Sequence, residues 1–135
     1  MAQGFELAGI LAIELFVTKD ERVIVNELAP RPHNSGHYTI EACSFDQFDA
    51  HIRGIAGWPL EQPELLKPAV MVNVLGQHVA PTRALIAEHP EWNMHDYCKA
   101  EVRHDRKMGH ITVLTDDTRQ TVADLERTGC WDDLK

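Results

Sequence analysis

The sequence is short of cysteine, of positive charge and of long apolar runs. Its three cysteines, Cys43, Cys98 and Cys130, stand far apart and form no C-x-x-C pair. That spacing argues against a zinc ribbon or a disulfide framework and suits thiols in a reducing compartment. No apolar run approaches the roughly 20 residues needed to cross a bilayer. The opening residues Met1 to Glu6 show neither the basic n-region nor the apolar h-region of a secretory signal, so a cytoplasmic location is expected. With 13 Lys and Arg against 21 Asp and Glu, the net charge is −8. A general nucleic-acid binder would be basic, so that class is set aside. There is no internal repeat and no low-complexity tract.

What is there reads as a globular chain, 44% hydrophobic and 25% charged over 135 residues. That length fits one domain, or the end of a larger one followed by a small second unit. Residues 10–17 and 22–28 are β-branched, apolar runs of strand length, and the polar residues 18–21 between them suit a hairpin. Both runs are apolar on both faces except at Glu14, Asn26 and Glu27, which predicts a sheet covered on both sides. Residues 29–37, with two prolines and an Asn-Ser-Gly, read as a loop. Ser44 and Gln47 have the spacing of a capping box. Phe45, Phe48, Ile52 and Ile55 follow at helical spacing, and Gly57 can end that helix.

Residues 57–68 hold three prolines and make the best boundary, giving an expected division into 1–57 and 58–135. Beyond it the pattern predicts a strand over 69–75 and a short helix over 81–88 with Pro81 at its first position. Short strands over 94–99 and 110–114 follow, then a final helix over 116–127 closed by Gly129.

The chemistry concentrates in three places. If 18–21 form the loop, Glu14 opposes Val25 and Ala12 opposes Glu27, making the two glutamates diagonal neighbours roughly 7–8 Å apart on one face. Two carboxylates on an apolar face call for a hard cation such as Mg²⁺, or for a salt bridge to one and solvent at the other. A slip of one residue would put them on opposite faces. His33 and His37 lie in a loop with no third ligand at hand. Zinc is therefore the poorer reading, and polar groups lining a substrate loop the better one. Finally, Lys99, Arg103, Arg106 and Lys107 cluster near Glu101 and Asp105. Such a cluster on an acidic protein suits a small anion, or a solvated loop laced with ion pairs.

The stretch LAIELFVTKDERVIVNELAPRPHNSGHYTIEACSFDQF, residues 11–48, resembles the end of an ATP-grasp domain. Its NELAPRPHNSGHYT core and the later YCKAEVRHDRKMGHI, residues 97–111, resemble the N5-carboxyaminoimidazole ribonucleotide synthetases, the ATPase component of aminoimidazole ribonucleotide carboxylation. The resemblance implies an α+β chain: the C-terminal half of an ATP-grasp domain, hairpin plus helices, followed by a small mixed α/β C-terminal domain. It implies ATP, Mg²⁺ and bicarbonate, with carboxyphosphate delivering its carbon to the amine of aminoimidazole ribonucleotide. Glu14 and Glu27 would hold the Mg²⁺. Arg31, His33 and Asn34 would adjoin carboxyphosphate. Lys99, Arg103, Arg106 and Lys107 would hold the ribonucleotide phosphate and help bind carboxyphosphate. A homodimer is implied for the complete enzyme.

Two departures from the pattern matter. Family members commonly have Pro-Gly where His104-Asp105 stands here, which brings a carboxylate into an anion loop. The family also carries a preceding α/β domain and a first grasp half with the glycine-rich phosphate loop. None of that precedes Met1, so this chain alone is expected to be inactive. The rival enzyme is the formate-dependent glycinamide ribonucleotide transformylase, which shares a Pro-Arg-Pro-His stretch. The rival from another class is a non-catalytic binding module.

Overall fold

The computed structural model describes residues 4 and 6–132. The chain divides into two compact units, 1–64 and 65–135, each with a sheet of its own. The division falls inside the proline-bearing stretch 57–68, between Glu64 and Leu65.

In the first unit, β1 (Ala12–Val17) pairs antiparallel with β2 (Val23–Ala29). The connection closes where the Thr18 amide donates to the Arg22 carbonyl at 2.9 Å. Glu21 takes the left-handed conformation at φ 60°. The register differs from the expected one. Val17 faces Val23, not Arg22, and Leu15 faces Val25; a bulge then sets in, and Glu14 faces Glu27 directly. Asn26 is the extra residue. The sheet is not covered on both sides as its composition suggests. Phe16 is 59% exposed on the face of Glu14, and Val17 is 73% exposed on the other. Two strands and two short helices offer too few apolar partners to cover both faces.

After β2 the chain makes a 3-10 turn at Asn34–Gly36 and a four-residue helix α1 (Thr39–Ala42), so this stretch is more regular than a plain loop. Helix α2 (Gln47–Ala56) follows. Its N-cap is Asp46, not Ser44: the Asp46 carboxylate accepts from the amides of Phe48 and Asp49 at 2.7 and 2.9 Å. Ser44 is occupied elsewhere, its hydroxyl accepting from the Glu64 amide at 3.0 Å. Gly57 ends α2 in the left-handed conformation at φ 66°, which glycine adopts without steric cost. Helix α2 is tied to the approach to β1 by the His51 ring, whose Nδ1 accepts from the Ile10 amide at 3.1 Å.

The second unit is a three-stranded antiparallel sheet in the order β3 (Ala69–Leu75), β5 (Lys107–Leu114), β4 (Asn93–Asp96). Helix α3 (Val79–Leu85) opens two residues ahead of the expected start. Pro81 sits in its first turn, where amides have no intrahelical partner to lose. Helix α4 (Thr118–Arg127) is capped by Asp117. Val74, Ile111 and Val113 from the sheet pack with Val79, Leu125, Trp92 and Trp131 into one apolar core. The Trp131 indole donates to the Asn73 carbonyl at 3.0 Å, which anchors the segment after α4 to β3. β4 stops at Asp96, earlier than the pattern suggested, because Cys98 turns left-handed at φ 50°. The Asp96 carboxylate accepts from the Cys98 amide at 2.8 Å and closes that turn. β5 begins at Lys107, three residues before its expected start.

Candidate active site

The bulge in β2 decides the geometry of the first site. A regular ladder continuing from Val17–Val23 would set Glu14 against Asn26 and turn Glu27 to the far face. The inserted residue restores the match, so both carboxylates emerge side by side on one face. The Asn26 amide donates to Glu14 Oε2 at 3.1 Å. The His33 ring approaches the other oxygen, with Nε2 3.3 Å from Glu14 Oε1. His33 Nδ1 lies 2.9 Å from the Ser35 hydroxyl and caps the Ser35 amide, which leaves Nε2 to carry the proton toward Glu14. Glu14 is thus held in orientation by two neighbours. Glu27 is exposed and makes no ion pair or hydrogen bond with the described residues.

Like charges set directly opposite across a ladder destabilise it unless a cation lies between them. The donor set is all oxygen, which fits a hard divalent ion. Among the described residues no three His, Cys, Asp or Glu side chains converge to hold a metal. A cation here would take two carboxylates from the chain and fill the rest of its shell from water and phosphate oxygens, as Mg²⁺ does.

The loop after β2 is organised by Gln47, which is 7% exposed. Its Oε1 accepts from the His33 amide at 2.9 Å, and its Nε2 donates to the His33 carbonyl at 2.9 Å and to His37 Nδ1 at 2.8 Å. One side chain thereby fixes both backbone groups of the residue whose ring meets Glu14. The His37 ring stacks on Phe48 at 5.6 Å. Arg31 is exposed, and its guanidinium donates to the Pro32 carbonyl at 3.1 Å. Asn34 Oδ1 is buried and has no hydrogen-bond partner among the described residues. The sequence singled out Glu14, Glu27 and His33, which the structure brings together within this unit. It missed Asn26 and Gln47 as organisers, although Asn26 is a polar interruption in an apolar strand.

The second candidate site is the loop from β4 to β5. Of its four cations, Arg103 is paired with the Glu101 carboxylate through Nε, at 2.8 Å, and through Nη2. Lys99 lies 5.5 Å over the Tyr97 ring and donates to the Lys107 carbonyl at 2.6 Å. Arg106 donates to the Glu101 carbonyl at 3.1 Å. Lys99, Arg106 and Lys107 have no carboxylate within ion-pair distance among the described residues, so their charge is available to an anion. Behind the loop the Tyr97 hydroxyl meets His110 Nδ1 at 2.9 Å, and burial pushes that phenol above its ordinary pKa. The Asp96 carboxyl is held below its ordinary pKa by the Cys98 amide and by Arg83, whose guanidinium is 2.6 Å away. Asp105 takes the left-handed conformation at φ 59°, and its carboxylate turns to Gln77.

Both halves of the chain match known families. Residues 1–48 match the ATP-grasp domain, and residues 69–124 match the phosphoribosylaminoimidazole carboxylase C-terminal domain. The N5-carboxyaminoimidazole ribonucleotide synthase of Staphylococcus aureus strain COL is 49% identical over 124 residues, which are 91% of this chain and 33% of that protein. Nearly the whole chain is therefore similar to one part of the N5-carboxyaminoimidazole ribonucleotide synthases. It spans about a third of the length of the relatives it matches. The crystal structure of the Staphylococcus aureus synthetase complexed with ADP superposes with a TM-score of 0.89 at 48% identity, covering 94% of this chain and 34% of that one. The Aspergillus clavatus synthase in complex with ADP and 5-aminoimidazole ribonucleotide superposes with a TM-score of 0.79 at 34% identity, over 89% of this chain and 34% of that one. The relatives found and the α+β fold class agree with what the two sequence motifs implied.

Proposed function

We propose that this chain supplies part of an ATP-dependent carbon–nitrogen ligase that carboxylates aminoimidazole ribonucleotide with bicarbonate, giving N5-carboxyaminoimidazole ribonucleotide, ADP and phosphate. The observation that carries the reading is the opposed pair Glu14 and Glu27, with Glu14 oriented by Asn26 and His33. Residues 1–57 act as the closing part of the ATP-grasp domain and 58–135 as the small C-terminal domain.

In this reading Glu14 and Glu27 hold Mg²⁺, which when bound offsets the charge of the ATP phosphates during phosphoryl transfer. Asn26 and His33 keep the Glu14 carboxylate turned to the shared face, the part that outer partners of metal ligands take. Arg31, His33 and Asn34 adjoin the carboxyphosphate. Arg31 has no carboxylate partner among the described residues and offers a planar pair of donors to an oxyanion. Lys99, Arg106 and Lys107 hold the ribonucleotide phosphate, and Arg103, already committed to Glu101, adds less. The protein works in the cytoplasm, and the complete enzyme is a homodimer. These 135 residues alone are inactive.

The test is a chimera in which this chain replaces the corresponding segment of the Staphylococcus aureus synthase. Bicarbonate-dependent ADP release is followed with and without aminoimidazole ribonucleotide. The chimera should show ribonucleotide-stimulated release, and the 135 residues alone should show none. Glu27→Gln in the chimera should lower turnover by at least about a hundredfold, beyond the usual cost of losing an outer partner of a metal ligand. Near-normal turnover of a folded Glu27→Gln chimera removes Glu27 from the reaction and favours a binding module.

A further inference from the structure

The β4–β5 loop is fastened to the 3-10 turn Gly76–His78, just before α3, at a point remote in sequence. The Asp105 amide donates to Gln77 Oε1 at 2.9 Å, and Gln77 Nε2 donates back to Asp105 Oδ1 at 3.1 Å. Asp105 is one of the residues of the second unit at positive φ, a conformation that non-glycine side chains adopt only at a cost and that Asp tolerates better than most. One residue before Gln77 lies Gly76. A Cβ there would stand 1.9 Å from the Arg103 carbonyl oxygen, so that carbonyl rests on the bare Cα. The Arg106 amide in turn donates to the Arg103 carbonyl at 3.1 Å and closes the 103–106 turn.

We propose that Gln77 and Asp105 form a clamp that fixes the 103–106 turn on residues 76–77, and that Gln77 is thereby a positioning residue for the anion-binding loop. The inference rests on the reading of that loop as the ribonucleotide-phosphate site. Gln77 touches no substrate in this account. It holds the backbone of Asp105 in the left-handed conformation, and that conformation sets the direction in which Arg106 and Lys107 leave the turn. The clamp also orients the Asp105 carboxylate. One carboxylate oxygen accepts from the Gln77 amide, and the other lies 3.2 Å from His104 Nδ1, so both oxygens are turned toward neighbouring side chains.

A mechanism of this kind predicts a specific rescue. Removing Gln77 leaves Asp105 to hold a costly conformation alone, whereas glycine holds it without help. In the chimera, KM for aminoimidazole ribonucleotide and kcat are measured for Arg106→Ala, Lys107→Ala, Gln77→Ala, Asp105→Gly and the double variant Gln77→Ala/Asp105→Gly. The expected results are a raised KM for at least one of the two cation variants and a KM about fivefold higher for Gln77→Ala, the scale of one or two net hydrogen bonds. Its kcat should stay within about twofold, and the double variant should return toward the parent KM. Asp105→Gly alone should leave KM unchanged. If neither cation variant raises KM, the phosphate reading falls and the clamp falls with it. If a cation variant raises KM but Gln77→Ala does not, the clamp alone is overturned. A raised KM that Asp105→Gly fails to rescue places the role of Gln77 elsewhere. Should Gln77→Ala fail to fold, Asp105→Ala against Asp105→Gly makes the same comparison, and equal KM values refute the clamp.

Discussion

Replacing Gln47 with alanine tests whether one buried amide holds the loop that presents His33 to Glu14. Gln47 makes three side-chain hydrogen bonds, two to the backbone of His33 and one to His37 Nδ1. Each contributes about 0.5–1.5 kcal/mol net, so the three together are worth about 3 kcal/mol. His33 is only half-buried, and water entering the gap recovers part of that. A loss of about 2 kcal/mol remains, which is about a thirtyfold increase in the local opening constant. The assay is amide hydrogen exchange at His33, compared with amides inside α4 of the other unit as an internal reference. The His33 amide should exchange about thirtyfold faster in Gln47→Ala while the α4 amides keep their rates. His37 offers a second signature. Gln47 Nε2 can only donate, so His37 Nδ1 must accept, and ring ¹⁵N shifts should report protonation at Nε2. His33 protection within about threefold of the parent, or a His37 ring protonated at Nδ1, would refute the assignment of Gln47 as organiser.

Two further outcomes follow from proton and thiol chemistry. The Asp96 carboxyl is held below its ordinary value of 3.8 by the Cys98 amide and the Arg83 guanidinium, so its pairing stabilises the fold at pH values above 3.8 and is lost as pH falls through the lower, folded value. Below about pH 4 the parent should therefore lose stability more steeply than Asp96→Asn, as followed by denaturant unfolding of Trp92 and Trp131 fluorescence; parallel curves would dismiss the contribution. Among the thiols, Cys98 is exposed, Cys43 is half-buried with its pKa pushed up by burial, and Cys130 is buried. Alkylation at neutral pH, read by mass spectrometry, should modify Cys98 first and Cys130 last, and a fast Cys43 would contradict its placement.

Much of this fold is visible in short-range pattern. The runs 10–17, 22–28 and 69–75 carry strand composition and became β1, β2 and β3, because β-branched residues between polar turns have few other options. Gly57 and Gly129 were readable as helix ends for the same local reason, and both take positive φ. The misses sit where several local partners compete. Ser44 and Asp46 can each cap α2, and the choice went to Asp46 because Ser44 is engaged with Glu64. β4 is cut short by an Asp96 turn whose left-handed residue is a cysteine, a type that gives no warning in sequence. Gln47 and Gln77 act over 14 and 28 residues, and no periodicity reveals a contact between a glutamine and a distant backbone.

The hairpin shows how two carboxylates can be placed on one face, as expected, by a geometric step other than the expected one. Composition places two glutamates in adjacent strands, and a regular ladder from an assumed turn makes them diagonal neighbours on one face. The turn is in fact one residue longer, and taken alone that slip would separate the carboxylates onto opposite faces. Asn26 reverses the slip by standing outside the ladder. The same residue then uses its amide on Glu14 Oε2. A polar residue inside an apolar strand was the visible trace of this bulge, because an unpaired position tolerates a side chain that the ladder would reject. The bulge therefore does two jobs. It sets Glu27 opposite Glu14, and it spends the residue that does so on fixing the direction of the Glu14 carboxylate. Removing the Asn26 side chain while keeping the extra residue separates the two functions, since only the second depends on the amide.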